Sequence, residues 1–390
     1  MYDFTSMISR RNTDSVKWDV KPNELPMWVA DMDFKAAPEI LEAMRQKVDF
    51  GIFGYEEPHD DYFEAVAKWY QREHHANIEK DWMFFSTGVV PTISSAVRRV
   101  TNVGDNVLVQ APVYNIFYNS IVNNGRHVLS SDLVYDVKTH QYHIDWQDLD
   151  AKLAEPLTTM MILCNPHNPI GKVWTKEDLM KINRLCLKHS VTLLADEIHG
   201  DLVFKGADYT PMFSLPEELL QNVIVAVSPS KTFNLAALHA ATVIVPNEAL
   251  RSKVNRGINT DELGEPNLLA IPGTIAAYTR AGQWVHELRG QIRANYETVV
   301  KFCQESIAGI TVVPSTATYL VWIDVRQLTD DSAKLATFIR AKTGLYLSAG
   351  NVYGGDGNHF LRLNIASPKA MVEDGLNRLQ QGIKEFSAIN

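Results

Sequence analysis

From residue 60 onward the chain alternates short apolar runs with stretches in which apolar residues recur every three or four positions. The runs Asn106–Gln110, Thr159–Cys164, Thr192–Ala195, Val223–Val227 and Thr242–Val245 are apolar and rich in Leu or β-branched residues, so they read as buried strands. Between them, Tyr62, Phe63, Val66, Trp69 and Tyr70 share one face of a helix. A second helix opens on the capping pattern Thr175-x-x-Asp178 and turns Leu179, Ile182 and Cys186 inward. Strands and helices in this alternation predict an α/β fold, a mostly parallel sheet covered by helices.

After Pro266 the pattern changes to a long helical stretch from Gln283 to about Ser306. Beyond it the chain reads as a strand at Thr318–Asp324, a helix over Ser332–Thr343, a glycine-rich loop, a strand at Phe360–Asn364 and a final helix from Pro368. This predicts a smaller α+β domain. The expected division is a large domain over 46–284 and a small one made of 1–45 with 285–390. No repeat at solenoid period and no low-complexity segment interrupts it. A chain of 390 residues fits two domains, being longer than a single core usually serves.

Composition narrows the classes of function. Hydrophobic residues make up 46% and charged residues 21%, the profile of a soluble globular protein. A net charge of -9 with no Lys/Arg block argues against nucleic acid as a partner. The first residues carry Arg10 and Arg11 without an apolar stretch behind them, so no signal peptide is expected. No run approaches the roughly 18 apolar residues of a membrane span. Cys164, Cys186 and Cys303 are far apart and odd in number, which supports neither a disulfide framework nor a metal site and fits a reducing cytoplasm.

In open α/β sheets ligands bind beyond the carboxyl ends of the strands, so the polar residues there are the candidates for chemistry. The strand ending at Cys164 runs into Asn165-Pro166-His167-Asn168-Pro169-Ile170-Gly171, which reads either as a rigid turn or as a turn aiming amide side chains at a common point. Asp196 closes an apolar strand, where burial raises a carboxyl pKa unless a cationic partner, such as a protonated heterocycle, keeps it ionised. An N-capping aspartate is the alternative. The strand Val223–Val227 leads into Ser228-Pro229-Ser230-Lys231-Thr232-Phe233-Asn234. Lys231 is there either a solvated surface charge or a lysine with the lowered pKa that imine formation needs. The flanking hydroxyls and amides suit a phosphate.

Delivered in this order by three strand ends, Asn168, Asp196 and Lys231 give the chain its likeness. It resembles a fold-type I pyridoxal-phosphate enzyme of the aminotransferase class I/II superfamily, essentially from Pro26 to the last helix. The resemblance implies a seven-stranded, mostly parallel sheet in the large domain and pyridoxal 5'-phosphate as cofactor. It assigns Lys231 to the imine, Asp196 to the pyridine nitrogen and Asn168 to the phenolic oxygen. Tyr114 matches the aromatic that stacks on the ring. Thr87, Gly88 and Val89 match the helix-start turn for the phosphate, with Ser228 and Ser230 as hydroxyl ligands. Tyr55 matches a tyrosine that reaches the neighbouring subunit's phosphate, which implies a homodimer with shared sites. Arg362 matches the clamp for a substrate α-carboxylate; on composition alone it reads as a strand-end surface residue.

Two positions depart from the usual aminotransferase pattern. His199 stands three residues after Asp196, where a tyrosine is usual among the cofactor-binding residues, and His239 follows Lys231 where an arginine is usual. With Val29-Ala30-Asp31-Met32-Asp33-Phe34 and Asp196-Glu197-Ile198-His199-Gly200-Asp201-Leu202, they resemble the cystathionine β-lyase/C-S lyase branch. The implied reaction is α,β-elimination from L-cystathionine or a related cysteine S-conjugate, with Lys231 as general base, giving a thiol, pyruvate and ammonia. Transamination is the alternative, and a regulatory protein-binding role on a lyase fold a further one. His74 and His75 read as a solvated helix end, and His127, His140 and His143 lack the spacing of metal ligands, so no metal is expected. The loop Gly350–Gly357 lacks the Gly-Lys-Ser/Thr of a P-loop; it reads as shaping the substrate entrance, with Tyr353 as a lining residue.

Overall fold

The structure is a computed structural model that describes residues 2–389; Met1 and Asn390, the outer limits of the expected small domain, lie outside them. Seven strands form the central sheet in the order Met83–Ser86, Ala241–Ile244, Val223–Val227, Thr192–Asp196, Thr158–Cys164, Asn106–Val109 and His127–Ser130. Ala241–Ile244 runs antiparallel to both of its neighbours, and the other six are parallel to one another. Val223–Val227 is buried at every position because helices cover both faces, hence its unbroken apolar run. All five strands expected from the sequence are present, with ends that differ by a residue or so.

The two strands without a sequence signal are the two edges of the sheet. His127–Ser130 is only half buried and carries His127 and Ser130, so it shows no apolar run. Met83–Ser86 is apolar but only four residues long. The expected strand at Thr318 starts at Leu320, because Thr318 takes a left-handed φ of 70° that bends the chain before pairing begins. The long helix Gly282–Ser306 is present as expected, and a separate helix, Ala270–Arg280, precedes it.

Beyond the long helix, a four-stranded antiparallel sheet runs in the order Thr311–Val312, Leu320–Asp324, Phe360–Asn364 and Ser348–Ala349, with the helices Ser332–Thr343 and Lys369–Ser387 packed together beside it. Leu25–Pro26 pairs in parallel with Leu345–Tyr346 and ties the N-terminal segment to this unit. The segment then crosses between the two sheets as a strap, Trp28 to Phe34, fixed through its carbonyls. Asn364 Nδ2 donates to Val29 O and Asp31 O at 2.5 and 2.7 Å, and Asn234 Nδ2 donates to Met32 O and Phe34 O at 3.1 and 2.9 Å.

An ion cluster locks the strap. Asp33 Oδ2 meets Lys17 Nζ at 2.6 Å, while its Oδ1 accepts from Trp18 Nε1 at 2.8 Å and Arg10 Nη1 at 3.0 Å. Lys17 and Asp33 side chains are each 1% exposed. Removing one member of such a pair strands the other charge without water. Asp33→Ala is therefore expected to destabilise the fold by about 3 kcal/mol, read from urea denaturation, while Asp19→Ala on the exposed surface leaves it within about 0.5 kcal/mol.

Candidate active site

The parallel strands end at one edge of the sheet, and a cavity of about 260 Å³ opens there. Lys231, Asp196, Asn168, Tyr114, His199, Gly88, Val89 and Ser230 all line it, together with Thr87. The resemblance named these residues from separate stretches of sequence, and the topology brings them together. Ser228 stands just behind the wall, its Oγ 2.6 Å from Ser230 Oγ and donating to Ala240 O at 2.6 Å. Arg362 is reached through Asn168: its Nη1 donates to Asn168 Oδ1 at 3.0 Å and its Nη2 to Trp28 O at 2.9 Å. Tyr353 is buried and packs its ring 4.8 Å from the Arg362 guanidinium, so it lies beneath that arginine and is absent from the cavity wall.

Tyr55 lies apart from this group. It is 99% exposed and borders a wider, open cleft of about 1230 Å³ with Phe53 and Phe63. That cleft is larger, yet none of the strand-end residues above reaches it.

Burial tunes the titratable groups. Lys231 is pushed down to about 8, chiefly by desolvation, and its Nζ donates to Ala30 O at 2.6 Å. Asp196 is pushed up to about 6 by desolvation, against the opposing pull of the Ile198 N–H, 3.1 Å from its Oδ1, and of the Lys231 charge. Burial, then the Lys231 and Arg362 charges, depress His199 to about 3 and leave its imidazole neutral.

The open valences fit a bound pyridinium phosphate. His199 Nδ1 and Arg362 Nε are buried without a protein partner. Asp196 pairs with no lysine, arginine or histidine within ion-pair distance, and a protonated ring nitrogen would hold its carboxylate ionised. Gly88, at φ 143°, opens the helix Val89–Val100 without a side-chain cap, which leaves that helix start suited to a phosphate.

Around the cavity, Asp201 is a buried carboxylate that accepts from Trp69 Nε1 at 2.8 Å, His74 Nε2 at 2.7 Å and Thr232 Oγ1 at 2.8 Å. This corrects the expectation of a solvated His74: its side chain is 8% exposed and locked in an ion pair, because the helix Asp60–His74 ends against the Asp201 loop. His75 is the exposed member of the pair. Glu197, next to Asp196, accepts from Tyr209 Oη at 2.6 Å and from Met212 N at 2.9 Å. Sequence reasoning missed Ala30, Val90, Pro91, Cys164, Ile198 and Ala236 in the cavity wall; Ala30 and Ile198 had a signal, inside the quoted Val29–Phe34 and Asp196–Leu202 stretches. Among the described residues no cluster of three or more His, Cys, Asp or Glu is arranged to hold a metal ion, and no helix is long and apolar enough to cross a membrane.

The sheet order and the chemistry of this cavity define a fold-type I pyridoxal-phosphate enzyme. The family model for aminotransferase class I and II matches residues 25–379, and the chain belongs to that family. It is 39% identical to cystathionine beta-lyase PatB of Bacillus subtilis (strain 168), over 98% of this chain and 100% of that protein. It is 30% identical to the protein MalY of Escherichia coli (strain K12), over 98% and 99% of the two chains. Among solved structures, cystalysin from Treponema denticola, which contains a pyridoxal 5'-phosphate cofactor, superposes with a TM-score of 0.95 at 33% identity over 99% of both chains. The family and the lyase branch read from the motifs are thus borne out.

Glu197 provides a test of the buried shell. Burial pushes its pKa up to about 8, so the folded chain holds a proton that the unfolded chain releases. The stability it contributes is present below the ordinary glutamate range and lost as pH rises through about 8. Glu197→Gln is expected to flatten the decline in unfolding free energy between the ordinary glutamate range and about pH 8; an unchanged slope would show that Glu197 titrates normally.

Proposed function

We propose that the chain is a pyridoxal-phosphate-dependent C-S β-lyase that cleaves L-cystathionine and related cysteine S-conjugates to a thiol, pyruvate and ammonia. One observation carries most weight. Arg362 is buried, donates only to the Asn168 side chain and the Trp28 carbonyl, and has no carboxylate partner among the described residues. A buried guanidinium without a counter-ion calls for an anion, and the α-carboxylate of an amino acid fits its planar fork. The relatives named cystathionine beta-lyase supply the substrate class.

Pyridoxal phosphate, when bound, supplies an electron sink for the pair left at the substrate α-carbon. Lys231 would anchor it, Asp196 would keep its ring nitrogen protonated, and Tyr114 would cover one ring face. Asn168 and His199 would meet the phenolic side, with Thr87, Gly88, Val89, Ser228 and Ser230 at the phosphate. In the free chain burial lowers Lys231 to about 8, and its amine, when not engaged with the cofactor, would serve as the base. Its Nζ takes the α-proton while Arg362, steadied by Tyr353 beneath it, keeps the carboxylate in place. The Cβ–S bond then breaks with its electron pair on sulfur. The thiolate takes up a proton, and the remaining aminoacrylate, once released, hydrolyses to pyruvate and ammonia.

The reading includes a cytoplasmic homodimer with shared sites. Tyr55 and Phe53 are exposed at the wide cleft, a surface suited to a second copy that would receive Tyr55 at its phosphate site. It also includes the division into 46–284 and 1–45 with 285–390, the long helix linking the two parts.

L-cystathionine is expected to give pyruvate and free thiol in equal amounts without added oxo-acid; a product that requires oxo-acid and brings no thiol would replace elimination by transamination. Lys231→Ala should abolish turnover. Arg362→Leu should lower kcat/KM roughly a hundredfold.

A further inference from the structure

Six strands of the central sheet run in one direction, toward the edge where the cavity opens, whereas Ala241–Ile244 runs the other way and presents its beginning there. Its register sets Ala241 opposite Ser86 on one side and Thr242 opposite Val227 on the other. His239 stands two residues before this strand begins, while Gly88 and Ser230 follow two and three residues after its neighbours end. The three residues line the same cavity, and the Ser228 Oγ bond to Ala240 O holds the intervening backbone.

Lys231, His199 and His239 are the side chains in the cavity wall able to carry positive charge, and none is an arginine. Lys231 is committed to anchoring, and His199 is neutral. The His239 ring is exposed and makes no hydrogen bond or ion pair with the described residues. Its backbone sits at φ 47°, a left-handed conformation that histidine, like asparagine and aspartate, adopts more often than most residues with a side chain. A donor in the cavity wall without a partner among the described residues, beside two residues of the phosphate end, points to a ligand.

We propose that His239 is a phosphate-binding residue, its imidazole N–H donating to a cofactor phosphate oxygen at the end of the cavity whose wall holds no arginine. The inference rests on the cofactor reading above and assigns this chain's own solution to the missing arginine. Gly88, Val89 and Ser230 bind the same group from the other sides.

The test separates the phosphate from the rest of the cofactor. Purified protein stripped of cofactor is titrated with pyridoxal phosphate and, separately, with pyridoxal, following the visible absorbance of the lysine adduct. His239→Gly suits the backbone angle and removes the ring. It is expected to weaken pyridoxal phosphate about tenfold and leave pyridoxal unchanged, as loss of one hydrogen bond to a charged group implies. His239→Arg should restore or exceed the parental affinity for pyridoxal phosphate alone. In the parent, the ³¹P resonance of the bound phosphate should shift on either substitution. Equal weakening of both ligands, or of neither, overturns the assignment while leaving the cofactor reading intact. Failure of the parent protein to form the lysine adduct with either compound overturns both.

Discussion

A lysine amine buried at the edge of a parallel sheet is the constraint around which this molecule is arranged. Desolvation favours the neutral form of Lys231, which is the form that attacks a carbonyl or accepts a proton. The same desolvation is costly unless the amine has an acceptor. The fold supplies one from outside the sheet, the carbonyl of Ala30, which also accepts from Tyr319 Oη at 3.0 Å. Ala30 belongs to the strap, and the strap is held by the Asp33 cluster, so an ion pair near the N-terminus fixes the acceptor of a lysine two hundred residues later.

Much of this was legible in the sequence for a simple reason. A strand buried on both faces must be apolar throughout, so Val223–Val227 and Thr192–Asp196 announce themselves, and Lys231 and Asp196 stand out by following such runs. Edge strands lack that signature, which is why His127–Ser130 was silent. The reversed strand Ala241–Ile244 was found, but apolarity carries no direction, and its orientation is what brings His239 to the cavity. His74 was misread because its neighbours in sequence are polar, whereas its partner Asp201 lies 127 residues away. Tyr353 matched the loop by position, yet only the packing of that loop against Arg362 puts its ring under the guanidinium.

Charge complementarity inside the cavity follows from what each wall lacks. Asp196 has a backbone donor but no ion-pair partner, and Arg362 has carbonyl and amide acceptors but no carboxylate. In a low-dielectric cavity such open charges cost stability until a ligand of opposite charge arrives. On the function proposed above, a pyridinium would satisfy the first and an α-carboxylate the second, so one bound pair, cofactor and amino acid, would neutralise both ends. Asn168 stands between them, its Oδ1 already accepting from Arg362, and so relates the two recognition events geometrically.

The strap adds a thermodynamic link between the same two events. Trp28 O accepts from Arg362 and Ala30 O from Lys231, carbonyls two residues apart in one segment. On the function proposed above, a substrate bound through Arg362 would change the donors available to both carbonyls at once. The remaining bonds from Asn364 and Asn234 then keep the strap in place, which fits their use of main-chain acceptors on either side of Ala30, at Val29, Asp31, Met32 and Phe34. Because linkage is reciprocal, whatever stabilises the strap in one arrangement must favour the ligand state that shares it. The N-terminal ion cluster is in this sense part of the active site's energetics, although none of its side chains lines the cavity.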